Sequence, residues 1–389
     1  MLTATAMVVF MVPGLALFYG GLTRSKNVLN MINMNVYCIG IVPVLWVLFS
    51  YSLGNSRAED GGSSLIGNLD AIGLRIDGEA IVGIDLLTVA FLMTFAAITP
   101  ALISGAVAGR MKFSAWVLFV PLWSVLCYAP VTYWVYTGWH HTELSPAAID
   151  FAGGTAIHIN AGVAALVLAI VLGRRRGWPE ESMAPHNMTL VILGTGILWF
   201  GWFGFNAGSA LAANDQAVQA LMNTFIAPAA GMLTWLIVEK LRDGHATALG
   251  AASGIVAALV AITPAAGFVG TLAAMLIGAV AGVLCYAAIQ LKHKLGYDDS
   301  LDVVGIHGVG GIVGGLMLGF LAEESVGGAK GGGDLFVSQL AAIGSVIAFS
   351  AVVTFIIAMA IKSTIGLRVD EESEQIGLDQ TVHSESAYS

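Results

Sequence analysis

The chain has 389 residues, of which 57% are hydrophobic and 11% charged, and it carries a formal net charge of −9. Soluble domains carry about a quarter charged residues, so a chain this poor in charge, with a mean hydropathy of +0.83, is not a soluble fold. The few basic residues are dispersed, which excludes a nucleic-acid-binding surface. The apolar runs do not alternate with polar residues as barrel strands do. The composition therefore predicts an all-α polytopic membrane protein.

Eleven apolar runs follow one another along the chain, each close to the ~20 residues that span a bilayer as a helix. We predict spans at 2–21, 29–53, 84–108, 113–137, 151–172, 188–208, 218–239, 247–263, 268–290, 302–322 and 335–361. These spans make up a transmembrane domain at 1–362, and 363–389 form a tail.

The basic residues separate onto two alternating sets of loops. Thirteen lysines and arginines lie in one set together with the tail, and three lie in the other, namely Arg57, Arg75 and Lys330. Positively charged loop residues remain in the cytoplasm. The asymmetry therefore predicts an N-terminus outside the cell and a C-terminus inside it.

One histidine lies in the fifth predicted span and one in the tenth, at His158 and His307. A repeat of five spans inverts its second copy, as in many transporters, so we predict an inverted five-helix repeat plus a final helix. Asp150 and Asp302 precede the two histidines near their helix starts. At a rise of ~1.5 Å per residue, His158 lies ~12 Å below the outer helix end and His307 ~8 Å above the inner one. Both side chains then reach the middle of a core ~30 Å thick.

Ionisable side chains at the centre of a membrane are usually functional. A lone histidine also fits an ordinary interhelical hydrogen bond, but two at matching repeat positions favour a shared site. The spans leave no other charged residue at this depth, so ligands for a metal are lacking. The sequence therefore predicts a narrow, mostly apolar passage for a very small solute that crosses uncharged, with no metal, no cofactor and no enzymatic activity.

The two carboxylates at the helix starts are expected to be structural caps, because a carboxylate satisfies free N–H groups and the helix dipole there. Asp150 has a second expected role, since negative charge near the outer mouth favours cations. Asp302 is expected to cap its helix only.

Aromatic residues cluster in three stretches: FLMTFAAITP, with Phe91 and Phe95 four residues apart on one helix face, GWFGFNAGSA and YAPVTYWVYTGW. Each cluster alone fits an interfacial belt or a core. Together they fit an aromatic cage that binds a small cation by cation–π attraction, above a phenyl constriction.

Several of these stretches resemble the Amt/Mep/Rh ammonium transporter family, and more closely its bacterial Amt branch. The resemblance covers nearly the whole chain and includes PGLALFYGGLTRSKNVLN, DFAGGTAIHINAG, PHNMTLVILGTGILWFGWFGFNAGSA, GAASGIVAALVAITPAAGFVG, DVVGIHGVGGIVGG and the tail GLRVDEESEQIGLDQTVHSESAYS. It implies a homotrimer in a prokaryotic cell membrane, with a pore bounded by eleven helices in each subunit. It also implies transport of ammonium, with methylammonium as an analogue.

The resemblance assigns roles by motif position. It makes His158 and His307 the paired pore histidines, Phe95 and Phe205 a stacked phenyl gate, Phe91 and Ser209 the lining of an outer ammonium site, and Asp150 a carboxylate near that site. Tyr136 stands where the family commonly has the tryptophan of the cage, and Trp134 and Trp139 are alternatives for that position.

The implied mechanism follows from the cost of dehydrating a cation. Ammonium binds at the outer cage and loses a proton, and ammonia passes the phenyl gate and the two imidazoles. The proton is lost outside or relayed through the histidines. Potassium is rejected because it has no proton to lose.

The tail implies a partner, a PII-type signalling protein docked at the cytoplasmic face. By itself the acidic run Asp370–Glu374 reads as a solvated linker. Three alternative functions remain: an ammonium sensor signalling through PII, a Rh-like gas channel, and a bis-histidine haem oxidoreductase.

Overall fold

The computed structural model describes residues 1–55 and 64–388. Arg57, which was predicted on an outer loop, and Ser389 at the end of the predicted tail lie outside the described residues.

Long helices account for most of the described chain. They are α1 (Leu2–Leu22), α2 (Ser25–Asn55), α3 (Gly83–Val107), α4 (Phe113–Thr142, with a break at Thr137 and Gly138), α5 (Gly154–Leu172), α6 (Met188–Gly208), α7 (Asp215–Asp243), α8 (Ala248–Ile262), α9 (Thr271–Leu295), α10 (Val304–Leu321) and α11 (Gly333–Thr364). Ten of those described are long and apolar enough to cross a membrane, whereas α8 has only 15 residues. The prediction of a multi-pass, all-helical membrane protein is confirmed.

Helix α8 is short but lies inside the bundle. It packs against α6, α7, α9 and α10, and most of its residues are buried. Because protein rather than lipid covers its faces, a short helix leaves little backbone to be satisfied in hydrocarbon.

Many of the helix glycines sit where one helix lies directly against another. A β-carbon added at Gly314 would lie 1.9 Å from the carbonyl oxygen of Ala261, and one added at Gly278 would lie 2.0 Å from that of Ala227. Small residues allow membrane helices to approach this closely. The close contacts explain why the predicted spans contain so many glycines.

A small hairpin on the loop between α2 and α3 was not predicted from the sequence. It consists of β1 (Arg75–Ile76) paired antiparallel with β2 (Glu79–Ala80), directly after a 3₁₀ turn at Ile72–Leu74. A further short helix, Glu324–Gly327, lies between α10 and α11.

The tail contains two short helices, α12 (Glu371–Ile376) and α13 (Leu378–His383). Glu374 is only 2% exposed; its carboxylate accepts the backbone N–H of Arg176 at 2.8 Å and pairs with Arg368 at 2.7 Å. The interpretation of Asp370–Glu374 as a solvated linker is therefore wrong, because an apparently surface-exposed charge run is anchored by a buried carboxylate.

The second tail helix caps the α-helical part of α2, which begins at Val28 after a 3₁₀ turn at Ser25–Asn27. The buried carboxylate of Asp379 accepts the backbone N–H groups of Leu29 at 3.0 Å and Asn30 at 2.8 Å. The first turn of a helix has N–H groups without partners. A tail residue some 350 positions away in the chain thus supplies the cap that α2 lacks locally.

Replacement of Gly314 by alanine tests the close helix contacts. The added β-carbon would overlap the Ala261 carbonyl, and overpacking of this kind costs about 1–3 kcal/mol. Thermal unfolding of the detergent-purified Gly314→Ala protein is expected to occur at a clearly lower temperature than that of the wild type.

Gly344→Ala is the matched control, because a β-carbon at this position in α11 meets no atom within 4 Å. It is expected to leave the unfolding temperature unchanged or slightly raised, since alanine is favoured over glycine within a helix. Equal shifts in the two variants would contradict the packing argument.

Candidate functional site

The two predicted histidines meet inside the helix bundle. Their Nδ1 atoms are 3.2 Å apart, and the ring centroids are 5.3 Å apart with an angle of 26° between the ring planes. His158 is 2% exposed and His307 is 3% exposed. At this distance one Nδ1 donates its proton and the other accepts it, so the pair shares one hydrogen bond. Both rings are thus held in a single mutual orientation.

Glycine contacts between α5 and α10 bring the rings together. A β-carbon at Gly162 would lie 2.4 Å from the Cα of Gly308, and one at Gly311 would lie 2.9 Å from the carbonyl oxygen of Gly154. The two helices therefore cross backbone to backbone next to the histidines.

The starts of α5 and α10 match at one sequence offset. The histidines are 149 residues apart, and the same offset relates Asp150 to Asp299. It also relates Gly153 (φ 106°) to Asp302 (φ 65°), the left-handed residues at the starts of the two helices. Each histidine then lies in a π-helical turn, Gly154–Ile159 and Val304–Gly308 respectively.

Asp150 lies at the start of α5 and is 8% exposed. Its two carboxylate oxygens accept four backbone N–H groups, those of Gly153 at 3.0 Å, Gly154 at 2.6 Å, Thr155 at 2.8 Å and Ala156 at 3.0 Å. Burial raises the pKa of this carboxyl above its usual value, and the N–H groups oppose the rise. The helix start therefore depends on a single buried side chain.

The prediction that Asp302 caps the start of α10 is wrong. The N–H of Val304 donates to Asp299 Oδ2 at 2.7 Å, whereas Asp302 pairs with the ammonium of Lys292. Asp299 is 1% exposed, and burial raises its pKa to about 6, against the opposing influence of Lys292. The sequence could have identified Asp299 as the cap, because Asp299 precedes His307 by the same eight residues that separate Asp150 from His158.

A buried guanidinium connects the ends of the two histidine helices. Arg110 is fully buried and donates to the carbonyl oxygen of Gly173 at 2.9 Å, just after α5. It also donates to Asp298 O at 2.5 Å and Ser300 Oγ at 2.6 Å, in the segment before α10. Burial lowers the pKa of this group to about 10, which still leaves it charged at neutral pH. Arg110 therefore positions the segment from which α10 begins.

A row of aromatic rings extends from Phe91 to the two histidines. Phe91 and Phe95 have centroids 4.8 Å apart, and Phe95 stacks on Phe205 at 4.1 Å with an interplanar angle of 16°. Phe205 lies 6.2 Å from the ring of His158, which itself stacks on Trp202 at 5.5 Å. The structure therefore places the phenylalanines and the histidines in one continuous row.

A narrow cavity lies beside this row, with room for about one water-sized molecule. Apart from the two histidines its described lining is apolar or aromatic: Met11, Leu15, Phe18, Ile98, Leu102, Leu198, Trp202, Phe205 and Val256. The indole N–H of Trp202 is used by a hydrogen bond to Thr263 Oγ1 at 2.9 Å. The imidazoles are thus the ionisable groups that face this cavity.

Ser209 and Phe91 lie at the other end of the row. The Ser209 hydroxyl donates to the carbonyl oxygen of Phe205 at 2.8 Å, which leaves its lone pairs free to accept. A β-carbon at Gly208 would lie 2.8 Å from the ring of Phe91, so glycine is needed for the approach of α6 to this ring.

The other candidate cage residues have different surroundings. Trp134 donates its indole N–H to Leu65 O at 2.6 Å, and its ring lies 4.6 Å from Phe349 and 6.0 Å from Trp139. Within the described residues, no ring contact joins Trp134 or Trp139 to the phenylalanine row. Tyr136 is half-buried in the last turn before the break in α4.

Comparison with known proteins gives a family match along the whole chain. A model of the Ammonium Transporter Family matches residues 1–388. The ammonium transporter of Mycobacterium tuberculosis is 50% identical over 427 aligned residues, which cover 100% of this chain and 89% of the relative. That of Aquifex aeolicus is 48% identical over 401 residues, covering 100% and 92%.

Solved structures share the fold. The crystal structure of Saccharomyces cerevisiae Mep2 is 35% identical, with a TM-score of 0.86 over 95% of this chain and 86% of Mep2. A structure described as "Sensor Amt Protein" is 26% identical, with a TM-score of 0.89 over 98% of this chain and 96% of that one.

Replacement of Asp150 by asparagine tests its role at the start of α5. A carboxamide has one acceptor oxygen in place of two, so two of the four N–H groups lose their partner. Each buried unsatisfied group costs about 1–3 kcal/mol, so thermal unfolding of the variant in detergent is expected at a markedly lower temperature.

Asp334→Asn is a suitable control, since Asp334 lies in the first turn of α11 but is exposed. A surface substitution of this kind stays within about 0.5 kcal/mol. If Asp150→Asn were as stable as Asp334→Asn, the buried cap would not be needed.

Proposed function

The chain belongs to the ammonium transporter family, and from that premise we propose that it conducts ammonia through the row of rings that ends at His158 and His307. The observation that carries this proposal is the direct contact of two buried imidazoles beside an otherwise apolar cavity with room for about one water-sized molecule. A passage of this kind suits a small solute that hydrogen-bonds and crosses without charge.

Ammonium is recruited at an outer site near Phe91. The phenyl face attracts a cation, and the free lone pairs of the Ser209 hydroxyl accept an N–H of the ammonium. Tyr136 supplies a second aromatic face, since Trp134 and Trp139 pack in a separate cluster. Asp150 contributes negative charge near this site, in addition to its hydrogen bonds to the backbone.

The proton leaves before the solute passes the stacked rings of Phe95 and Phe205. A bare cation in an apolar cavity loses its hydration with little to replace it. Ammonia loses far less, because it is neutral. Potassium has no proton to lose and therefore stays outside.

The imidazole pair supplies the hydrogen bonds of the inner passage. The Nε2 atom of His158 is buried without a protein partner among the described residues, so it is available to the passing ammonia. The hydrogen bond between the two Nδ1 atoms connects the rings. A proton removed from ammonium either returns outside or moves along this pair.

The topology we propose treats α8 as an eleventh span, because it is apolar and enclosed by spanning helices. The offset of 149 residues between the starts of α5 and α10 supports an inverted repeat. The basic loops favour an outside N-terminus and a cytoplasmic tail at 363–389. We further infer a homotrimer in a prokaryotic cell membrane, as the family resemblance implies.

Two alternatives keep the fold but change the role. One is an ammonium sensor, favoured by the 26% identity to the protein described as a sensor. The other is a Rh-like gas channel. Methylammonium uptake in an ammonium-transport-deficient host separates them, since a sensor alone gives little uptake and a gas channel does not concentrate a cation.

Replacing both histidines tests the pathway. The His158→Ala, His307→Ala double variant removes the hydrogen-bonding groups that face the cavity, at a cost of about 1–3 kcal/mol in the barrier. Uptake of radiolabelled methylammonium is therefore expected to fall by about 5- to 150-fold.

The control carries His141→Ala and His245→Ala, which replace two exposed histidines and should leave uptake at the wild-type level. Unchanged uptake in the first variant would rule out the proposed pathway. Currents recorded on proteoliposomes after ammonium pulses then show whether the proton crosses with the ammonia.

A PII-type protein is the proposed partner of the cytoplasmic face. Copurification from cells shifted to nitrogen excess is expected to recover a PII trimer with the full chain. A variant that lacks the tail from 365 onward is expected to recover less, because the tail helices form part of that face. Recovery of no PII by the full chain would exclude this partner in that cell.

A further inference from the structure

An open groove lies away from the ring row, beside the tail helix α13. Its apolar walls come from Phe113, Val117 and Leu118 of α4, from Ile365 at the end of α11, and from Val369 and Val382 of the tail. Leu118 is 43% exposed, Ile365 41% and Val382 38%. These side chains leave an apolar channel uncovered where two spanning helices meet the tail.

One end of the groove is polar. Lys112 is the charged residue of the described lining, and its ammonium donates to the carbonyl oxygen of Ile365 at 2.8 Å. No described carboxylate lies within ion-pair distance of it. The exposed hydroxyl-bearing residues Ser114 and Thr381 complete this rim. The rim thus offers one unbalanced positive charge and hydrogen-bonding groups.

The polar end and the apolar walls of the groove are arranged one after the other along the axis of α4. Lys112 directly precedes α4, and Leu118 lies six residues further along, which is about 9 Å deeper at ~1.5 Å per residue. The headgroup zone lies just outside the hydrocarbon core. A ligand that fits both parts therefore has an anionic head at Lys112 and an apolar chain beside Val117 and Leu118.

We propose that this groove binds an anionic phospholipid of the leaflet that faces the tail. A lysine near the membrane surface favours anionic over zwitterionic lipid, and the apolar walls accept one acyl chain. The assignment to the cytoplasmic leaflet rests on the orientation given with the proposed function.

The bound lipid would also hold the tail in place. Helix α13 forms one wall of the groove and is anchored by Asp379 on the start of α2. His383 of the same helix packs edge-on against Phe113, with centroids 5.0 Å apart. A lipid that contacts both α4 and α13 therefore stabilises the docked tail, and loss of the lipid exposes the tail to proteases.

Native mass spectrometry of the detergent-purified full chain tests this. The protein is titrated with dioleoyl phosphatidylglycerol and, separately, with dioleoyl phosphatidylcholine. The wild type is expected to prefer the anionic lipid, and Lys112→Gln is expected to reduce that preference by about fivefold, the effect of one lysine near an anionic surface. Lys240→Gln, an exposed lysine at the end of α7, is the control and should leave the preference unchanged.

A second variant, Leu118→Trp, fills the apolar channel and is expected to reduce the binding of both lipids. Tail cleavage by trypsin should be slowed by phosphatidylglycerol in the wild type and not in Lys112→Gln.

The proposal is overturned if Lys112→Gln and Lys240→Gln behave alike, or if inorganic phosphate displaces the lipid, which would assign the site to a free anion. It is also overturned if Leu118→Cys crosslinks to a second subunit, since another copy would then cover the groove. Methylammonium uptake by Lys112→Gln is expected to be normal, so failure of the lipid site is distinguishable from failure of the transport pathway.

Discussion

The close crossing of α5 and α10 is the contact on which the proposed pathway depends. Gly162 lies against Gly308 with no space for a β-carbon, so the two helix backbones touch. At this separation the imidazoles of His158 and His307, one from each helix, reach a hydrogen-bonding distance of 3.2 Å. Lipid gives no hydrophobic drive for helix association, so close packing between small residues takes its place. The same glycines that stabilise the bundle thereby set the geometry of the site.

The starts of the two histidine helices impose a second constraint. Both begin inside the protein, where the first N–H groups of a helix cannot turn to water and need internal acceptors. Asp150 and Asp299 serve there as buried carboxylates, while Lys292 pairs with Asp302 rather than with Asp299. Each of the two helix starts therefore has one buried carboxylate without a salt bridge among the described residues. In the proposed pathway this places negative charge toward both ends of an uncharged passage.

The tail is part of the folded structure rather than an appendage. Glu374 and Asp379 are buried and accept backbone N–H groups from the loop after α5 and from the start of α2. These hydrogen bonds connect the tail to the loop after α5 and to the first turn of α2, and both helices are part of the membrane bundle. A partner or a lipid that displaces or holds the tail would therefore act on these helices through the capping bonds.

The sequence by itself determined the membrane class, the helical segments to within a few residues and the placing of His158 and His307 in two of these apolar segments. Hydrophobic runs and their spacing are local properties that can be read along the chain, and most of these runs are long enough to cross a membrane as a helix. Tertiary structure alone decided which side chains meet. It placed the cap on Asp299 rather than Asp302, packed Trp134 with Trp139 away from the phenylalanine row, and buried Glu374. Contacts between residues 149 positions apart depend on how far each helix is rotated and how closely it approaches its neighbour, and these are set by the packing of the whole bundle.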